Sequence, residues 1–374
     1  MSVNVRSFAK INLGLGIGTL RGDGFHELRT VYQTVALHDV IRVSVGRGSG
    51  IQIRCEDSRV PKDESNTCYR IVELALSALK ARGRVVVEIE KRLPVQGGLG
   101  GASGNAVAAL LALERALKRQ LPGPERLRIA GEVGSDLPLF LVGGTVLGVG
   151  RGEEVYPLPD LPAIACVVAT PEIGVSTPKA FADWDLLVGP QGLKPGSFGA
   201  ASGTAEAVPS RETNRIEGLP SRKTNRIEAE PFPAKLTLPD SSDRMVEFGR
   251  VLSAWLGGLS QGKSKTGKAS SGVPVSKGRG RAETPLLDLV RTGIENDFER
   301  VVFPKYPELR EVKRVLERAG AVYASLSGSG SATYGLFASR AAAEKAAARL
   351  HKDGIPATAT TTLTRPQYWK KIFD

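Results

Sequence analysis

The sequence predicts a mixed α and β fold in two domains, and three observations carry that expectation. The chain has 374 residues, more than one ordinary domain of about 100–150 residues uses. Residues 1–160 alternate between strand-like and helix-like patterns, and the same mixture returns after residue 285. Between them, from about 189 to 284, the composition turns to Gly, Ser, Pro, Lys and Thr. Such a segment cannot bury enough apolar surface to offset the entropy of ordering, and it is expected to be a disordered insertion. The boundary between the domains is placed near residue 160, giving units of 1–160 and 161–374.

In the first unit, Val3–Leu15 and Ile51–Cys55 alternate with period two, and Val85–Ile89 is a third strand. Asn66 or Ser65 caps a helix whose apolar face uses Val72, Ala75, Leu76 and Leu79 and which ends near Gly83. A second helix places Ala106, Ala109, Leu110, Leu113 and Leu117 on one face, and Pro124–Val133 is a shorter one closed by Gly134. The insertion holds a tandem repeat, PSRETNRIEG at 209–218 and PSRKTNRIEA at 220–229. One island within it, Met245–Leu259, is helical in pattern, with Phe248, Leu252, Trp255 and Leu259 on one face. Beyond it, helices are expected near 286–299 and 308–319, two strands around a Gly/Ser loop within 321–337, an Ala-rich helix at 340–351, and a last strand.

Composition narrows the function classes. No run approaches the roughly 18 apolar residues of a membrane span. The first residues alternate like a strand and lack the apolar block of a signal peptide, so a cytoplasmic protein is expected. Cys55, Cys68 and Cys166 form no CxxC pair and read as structural free thiols, and the three histidines assemble no zinc signature. The net charge is +12, and the segment 187–285 carries 15 Lys/Arg against 9 Asp/Glu, so half of the excess (15 − 9 = 6) lies there. The remaining bias suits a polyanionic small molecule and is no nucleic-acid footprint. The basic run 263–281 also lacks interleaved aromatics, which argues against a nucleic-acid binder.

Three stretches carry chemistry. The first is Leu93-Pro94-Val95-Gln96-Gly97-Gly98-Leu99-Gly100-Gly101-Ala102-Ser103-Gly104-Asn105-Ala106, which leads from a strand into an amphipathic helix. Glycines let backbone N–H groups surround phosphate oxygens, and the helix adds its positive end. The plainer alternative is a tight turn with Ser103 as N-cap, but five glycines in residues 97–104 exceed what a cap needs. The second is Ser325-Leu326-Ser327-Gly328-Ser329-Gly330-Ser331, a flexible hairpin or a small-residue loop that closes a pocket against the first. The third is a pair of charges, Lys10 mid-strand and Asp136 two residues before Pro138. Lys10 could lie on a solvated sheet face and Asp136 could be an N-cap. Together they could deprotonate and position a hydroxyl and offset charge developing in phosphoryl transfer.

These motifs, AKINLGL near the N-terminus, PxxGGLGGxSGNA and SGSGS, resemble in order and spacing the signatures of the GHMP kinases. Finer features resemble the 4-diphosphocytidyl-2-C-methyl-D-erythritol kinase branch of that family. They are Arg21-Gly22-Asp23-Gly24-Phe25-His26-Glu27-Leu28, the stretch from Gly134 through Phe140 to Glu153, Ser176-Thr177-Pro178-Lys179-Ala180-Phe181, Asn296-Asp297-Phe298-Glu299, and Thr364-Arg365-Pro366-Gln367-Tyr368-Trp369. The resemblance covers residues 1–185 and 286–374. It implies an α/β N-terminal ATP-binding domain and a ferredoxin-like C-terminal domain, and ATP-dependent phosphorylation of a cytidyl sugar alcohol with Mg²⁺. Residue by residue, it makes Asp136 the base and Lys10 its partner. It assigns Pro94 through Gly104, with Asn66 and Lys91, to ATP, and Ser103 to the metal that ATP carries. Asn12, Phe25, His26, Thr177 and Phe181 fall to the substrate, with the cytosine stacked between Phe25 and Phe181 and hydrogen-bonded by His26. Phe25 stands where the family has tyrosine, Ala102 where it has glycine, Gly104 where a second serine is common, and the 187–285 segment is foreign to its pattern. A homoserine or mevalonate type of kinase, or a non-catalytic nucleotide-binding regulator, is the alternative reading; the former has no use for GFHEL or TPxxF, and Lys10 with Asp136 argues against the latter.

Overall fold

Two unusually long strands organise the molecule. In the computed structural model, which describes residues 2–189, 245–250, 252–253, 290 and 294–373, β1 (Ser2–Leu20) pairs antiparallel with β2 (His26–Gly46) along most of their length. Residues 7–15 of β1 are buried without interruption, so this central part of the strand has a neighbour on each face and Lys10 does not lie on a solvated sheet surface. β2 also pairs with β4 (Arg84–Glu90) and β5 (Thr145–Val149). β3 (Ile51–Cys55) and β6 (Glu154–Pro157) complete a six-stranded sheet of order β3-β4-β2-β5-β6, with β1 on β2.

One face of this sheet is covered by α1 (Thr67–Ala78), α2 (Gly101–Leu117), α3 (Gly123–Val133) and α4 (Leu137–Val142). Asn66 caps α1 as expected, its Oδ1 accepting from Cys68 N at 2.8 Å. α2 is less amphipathic than its spacing suggests, because every residue from Gly104 to Glu114 is buried. Its buried Glu114 is matched by Arg126 at 2.7 Å and by the amide of Leu121 at 2.8 Å.

The other half is a four-stranded antiparallel sheet, order β10-β7-β9-β8, of β7 (Ala165–Ala169), β8 (Tyr323–Leu326), β9 (Thr333–Phe337) and β10 (Ala357–Thr361). Chain-order strands one and three are central and two and four are edges. The helices Pro307–Arg318 (α7) and Arg340–Lys352 (α8) pack on one face. This is the ferredoxin-like arrangement. Two more helices, α5 (Thr177–Val188) and α6 (Glu299–Lys305), pack against each other with Trp184, Phe298 and Phe303 between them.

The opposite face of this second sheet meets the first. Ala9, Ile11, Leu13, Val31 and Val35 pack with Cys166, Val168, Tyr334 and Leu336. Tyr334 and Tyr323 donate their hydroxyls to the carbonyls of Asn12 (2.8 Å) and Leu13 (3.1 Å), pinning β1 across the seam. The expected island helix is observed over 245–250, where Met245 packs beside Gly16 and Gly18 of β1. The tandem repeat and the basic run lie outside the described residues, as does half of the helix expected at 286–299. Its described end corrects the expectation, since 294–298 is an irregular turn in which Asn296 bridges to Leu15 of β1, and helix begins only at Glu299. The tail motif is a helix that the sequence reading did not assign, α9 (Arg365–Lys371), with a Thr364/Gln367 capping box. Tyr368 and Trp369 donate to the carbonyls of Phe140 (2.7 Å) and Val142 (3.1 Å) at the end of α4. All three cysteines are free.

Candidate active site

The chain leaves β4 at Glu90 and enters α2 through the glycine loop. Gly98 adopts φ 74°, and a Cβ there would sit 2.1 Å from the carbonyl oxygen of Ser327. Gly100 is the N-cap of α2 at φ 68°, and its Cβ would lie 3.0 Å from Lys10 Cγ and 2.9 Å from the Phe140 ring. Left-handed backbone and close approach both demand glycine there. Ser103 is therefore not the cap; it sits in the first turn, and the helix begins two residues before it. The second glycine loop closes on the first. Ser327 Oγ donates to Gly98 O at 2.9 Å, and Ala332 N donates to Gly97 O at 3.0 Å.

Beside this seam lies a cleft of about 390 Å³, lined by Arg59–Pro61, Asn66, Lys91 and the loop from Pro94 to Ser103. Its size falls at the low end of small-molecule sites. Gly104 is the exception among the loop residues expected there. It is buried against β1, where a Cβ would meet Ser7 Oγ at 2.8 Å and Phe8 O at 3.0 Å, so its smallness serves packing. Asn66 lines the cleft, but its amide is spent on structure, with Oδ1 on the cap and Nδ2 donating to Pro61 O at 2.6 Å.

Against the loop, where Lys10 N donates to Leu99 O at 3.0 Å, Lys10 Nζ stands 3.4 Å from Asp136 Oδ2 and donates to Asn12 Oδ1 at 2.7 Å. Lys10 is 3 % exposed and Asp136 34 %, so the cation is buried while the carboxylate is partly exposed. Asp136 occupies the N-cap position of α4, yet its side chain caps nothing. Its Oδ1 accepts instead from the buried Tyr32 hydroxyl at 3.0 Å. Burial, reinforced by the negative charge of Asp136, pushes the Tyr32 hydroxyl well above its usual range, so it stays a donor. Asn12 is fixed in turn, its Nδ2 donating to Thr30 Oγ1 at 2.8 Å, which donates to Gly14 O at 2.8 Å.

The residues expected on the substrate side are arranged differently from the resemblance. Phe25 is half exposed, with the Arg151 guanidinium 4.9 Å from its ring centroid. The His26 ring stacks on Phe181 (centroids 4.9 Å apart, 11° between planes), and its Nε2 lies 2.7 Å from Asp185 Oδ1. A base-reading sandwich with a free histidine is thus not preformed, because the imidazole has an aromatic face and a carboxylate to itself. Thr177 opens α5 and lies 2.8 Å from Ser329 Oγ, tying that helix to the second glycine loop.

Sequence reasoning missed four contributors. Thr30, Tyr32 and Asp39 lie on β2, which it did not assign as a strand. Asp39 is fully buried and accepts from Lys91 Nζ (2.6 Å), the amides of Arg92 and Leu93 (2.7 Å each) and Asn105 Nδ2 (3.0 Å). Asn296 was seen as part of a motif without a role. Its Nδ2 donates to the carbonyls of Leu326 (2.9 Å) and Gly328 (2.8 Å) and so shapes the second loop. A carboxylate in register with Val35, Leu37, Ile41, Val43 and Val45, the apolar side of a period-two alternation, was the available signal for Asp39.

Comparison with known proteins identifies the family. Residues 66–144 match the family described as GHMP kinases N terminal domain, and residues 283–355 match GHMP kinases C terminal. A 4-diphosphocytidyl-2-C-methyl-D-erythritol kinase of Solibacter usitatus is 33 % identical over 350 residues, spanning 94 % of this chain and 86 % of that protein. The chain belongs to the GHMP kinases, in the 4-diphosphocytidyl-2-C-methyl-D-erythritol kinase branch. A relative of the same description from Heliobacterium modesticaldum is 29 % identical over 93 % of this kinase and 90 % of its own length. A crystal structure of 4-(cytidine 5'-diphospho)-2C-methyl-D-erythritol kinase superposes with a TM-score of 0.62 at 27 % identity, covering 96 % of this chain and 98 % of that one. A homoserine kinase from Cytophaga hutchinsonii has the same TM-score, 0.62, at 19 % identity over 97 % of this chain and 95 % of its own, and shares the fold alone. Among the described residues, no helix is long and apolar enough to cross a membrane.

Proposed function

We propose that this kinase transfers the γ-phosphoryl group of ATP to the 2-hydroxyl of 4-diphosphocytidyl-2-C-methyl-D-erythritol, in the non-mevalonate route to isoprenoid precursors. The observation that carries the reading is the Lys10–Asp136 pair, at 3.4 Å, set beside the two interlocked glycine loops. Residues 1–160 form the nucleotide-binding domain and 161–374 the second domain of this reading.

ATP lies with its phosphates along the glycine loop from Gly97 to Ser103, where four of seven residues carry no side chain, and against the N-terminal end of α2. Asp136 accepts the proton of the attacking hydroxyl, which bonds to the γ-phosphorus as the bond to the bridging oxygen of ADP breaks. Lys10 pairs with Asp136 and offsets charge on the transferring group. Asn12 and Thr177 flank the alcohol, and Phe25, His26 and Phe181 receive the cytidine. For Phe181 to present the face now covered, the His26 ring must turn away.

The donor set fits Mg²⁺ carried by the nucleotide. The Ser103 hydroxyl lines the cleft and would offer such an ion one hard oxygen. Bound there, the ion would neutralise phosphate charge.

The test is ADP release, coupled to a colour reaction, with 4-diphosphocytidyl-2-C-methyl-D-erythritol, mevalonate and homoserine compared side by side. ADP should form with the first alone and require a divalent cation. Turnover of either of the other alcohols at an equal kcat/KM would overturn the substrate assignment.

A further inference from the structure

The phosphate loop has two shoulders. One is the chain leaving β4, residues 91–93; the other is the first turns of α2, reaching Asn105. Asp39 of β2 touches both. Its Oδ1 accepts from the amides of Arg92 and Leu93, each at 2.7 Å. Its Oδ2 accepts from Lys91 Nζ at 2.6 Å and from Asn105 Nδ2 at 3.0 Å. The β2–β4 ladder ends at the pair Val40/Glu90. The carboxylate therefore takes over from backbone carbonyls as acceptor for the next N–H groups and directs the chain out of the sheet.

A carboxylate that is fully buried survives only with its charge and lone pairs matched. Here four donors match it, and three of them belong to the segment that begins the loop. Lys91 gains a fixed position in return. It is 10 % exposed, lines the cleft, and its Nζ lies 3.3 Å from where a Cβ on Gly101 would be. A lysine with a free ammonium would sample solvent; this one is held against the start of α2.

We infer that Asp39 is the positioning residue of the nucleotide cleft, setting the separation of the two loop shoulders and fixing the Lys91 ammonium where it faces the nucleotide phosphates. The inference rests on the reading of this cleft as the ATP site. Asp39 touches no ligand and acts through Lys91 and the loop.

Asp39→Asn discriminates between its two oxygens. The amide oxygen can still accept from Arg92 and Leu93, while the new N–H₂ faces Lys91 and Asn105, both donors. The shape of the chain leaving β4 is kept and the grip on Lys91 is lost. Direct titration of ATP into the wild-type protein first tests the ATP reading; no binding there would remove that reading rather than the role of Asp39. With binding established, KM for ATP, KM for the cytidyl substrate, kcat and Tm are compared for Asp39→Asn, Lys91→Met and the double variant. Losing a charge-assisted contact predicts a rise of about tenfold or more in KM for ATP in each single variant. KM for the cytidyl substrate should stay within about twofold, and the double variant should be no worse than Lys91→Met alone, as expected of residues acting as one unit. An unchanged KM for ATP with a lowered Tm would make Asp39 a fold residue only. Effects that multiply in the double variant would overturn action through Lys91. If Asp39→Asn does not accumulate as folded protein, an unchanged KM for ATP in Lys91→Met overturns the inference by itself.

Discussion

Tyr32 donates its hydroxyl to one oxygen of Asp136 at 3.0 Å while Lys10 stands 3.4 Å from the other. One carboxylate is thus oriented by a neutral donor and a cation approaching from different elements. Tyr32→Phe removes only the hydroxyl and keeps the buried ring. A hydrogen bond to a charged group is worth roughly 1.5–3 kcal/mol, so kcat should fall by about ten- to a hundredfold. Because the ring stays buried, Tm should change much less than kcat. A kcat equal to that of the wild type would assign Tyr32 to packing.

Asp136→Asn should lower kcat by about 10²–10⁴-fold, the usual contribution of a general base, with KM for ATP little changed. Lys10→Ala should cost a comparable factor, and the double variant much less than the product of the two. Because the Asp136 side chain caps nothing, Asp136→Ala should leave Tm nearly unaltered. A drop of several degrees with kcat intact would restore the capping role.

Phe181 packs edge-to-face on Phe298 (5.0 Å) as well as under His26. Stacking on a base is worth about 1–3 kcal/mol, so Phe181→Ala should raise KM for the cytidyl substrate by about ten- to a hundredfold and leave that for ATP unchanged. Equal losses for both substrates would remove Phe181 from the substrate side.

Burial pushes four tyrosines, Tyr32, Tyr323, Tyr334 and Tyr368, above their usual range. In the unfolded chain a tyrosine ionises near pH 10. Above about that pH the unfolded state binds fewer protons than the native one, so stability must fall as pH rises. Thermal melts should show a steep loss of Tm beginning near pH 10, with tyrosinate absorbance appearing together with unfolding. Tyrosinate developing in the folded protein at pH 10 to the extent of four groups would contradict the burial argument.

Much of the site was legible because phosphate chemistry leaves local marks. The glycine loop, the SGSGS loop, Lys10 and Asp136 each stand out within a few residues of sequence, and the structure brings the loops and the pair together. What stayed hidden was long-range. β2 runs 21 residues and pairs with three strands, and its polar residues Thr30, Tyr32 and Asp39 take their meaning from partners 16 to 104 positions away. Local alternation also could not say that β1 is covered on both faces, since that depends on a second sheet formed by residues beyond 164. His26 was legible as a special residue but not its partner, Asp185, one turn beyond Phe181 on the same helix.

The contacts of Ser327 Oγ with Gly98 O and of Ala332 N with Gly97 O join positions 229 to 235 residues apart. During synthesis, the glycine loop leaves the ribosome long before the segment that closes it. A nascent chain ending anywhere short of residue 332 lacks the wall on which the backbone of Gly97 and Gly98 rests. Nucleotide binding should therefore switch on late, as a property of the nearly finished polypeptide, and an isolated N-terminal half should hold ATP poorly even where its own sheet has formed.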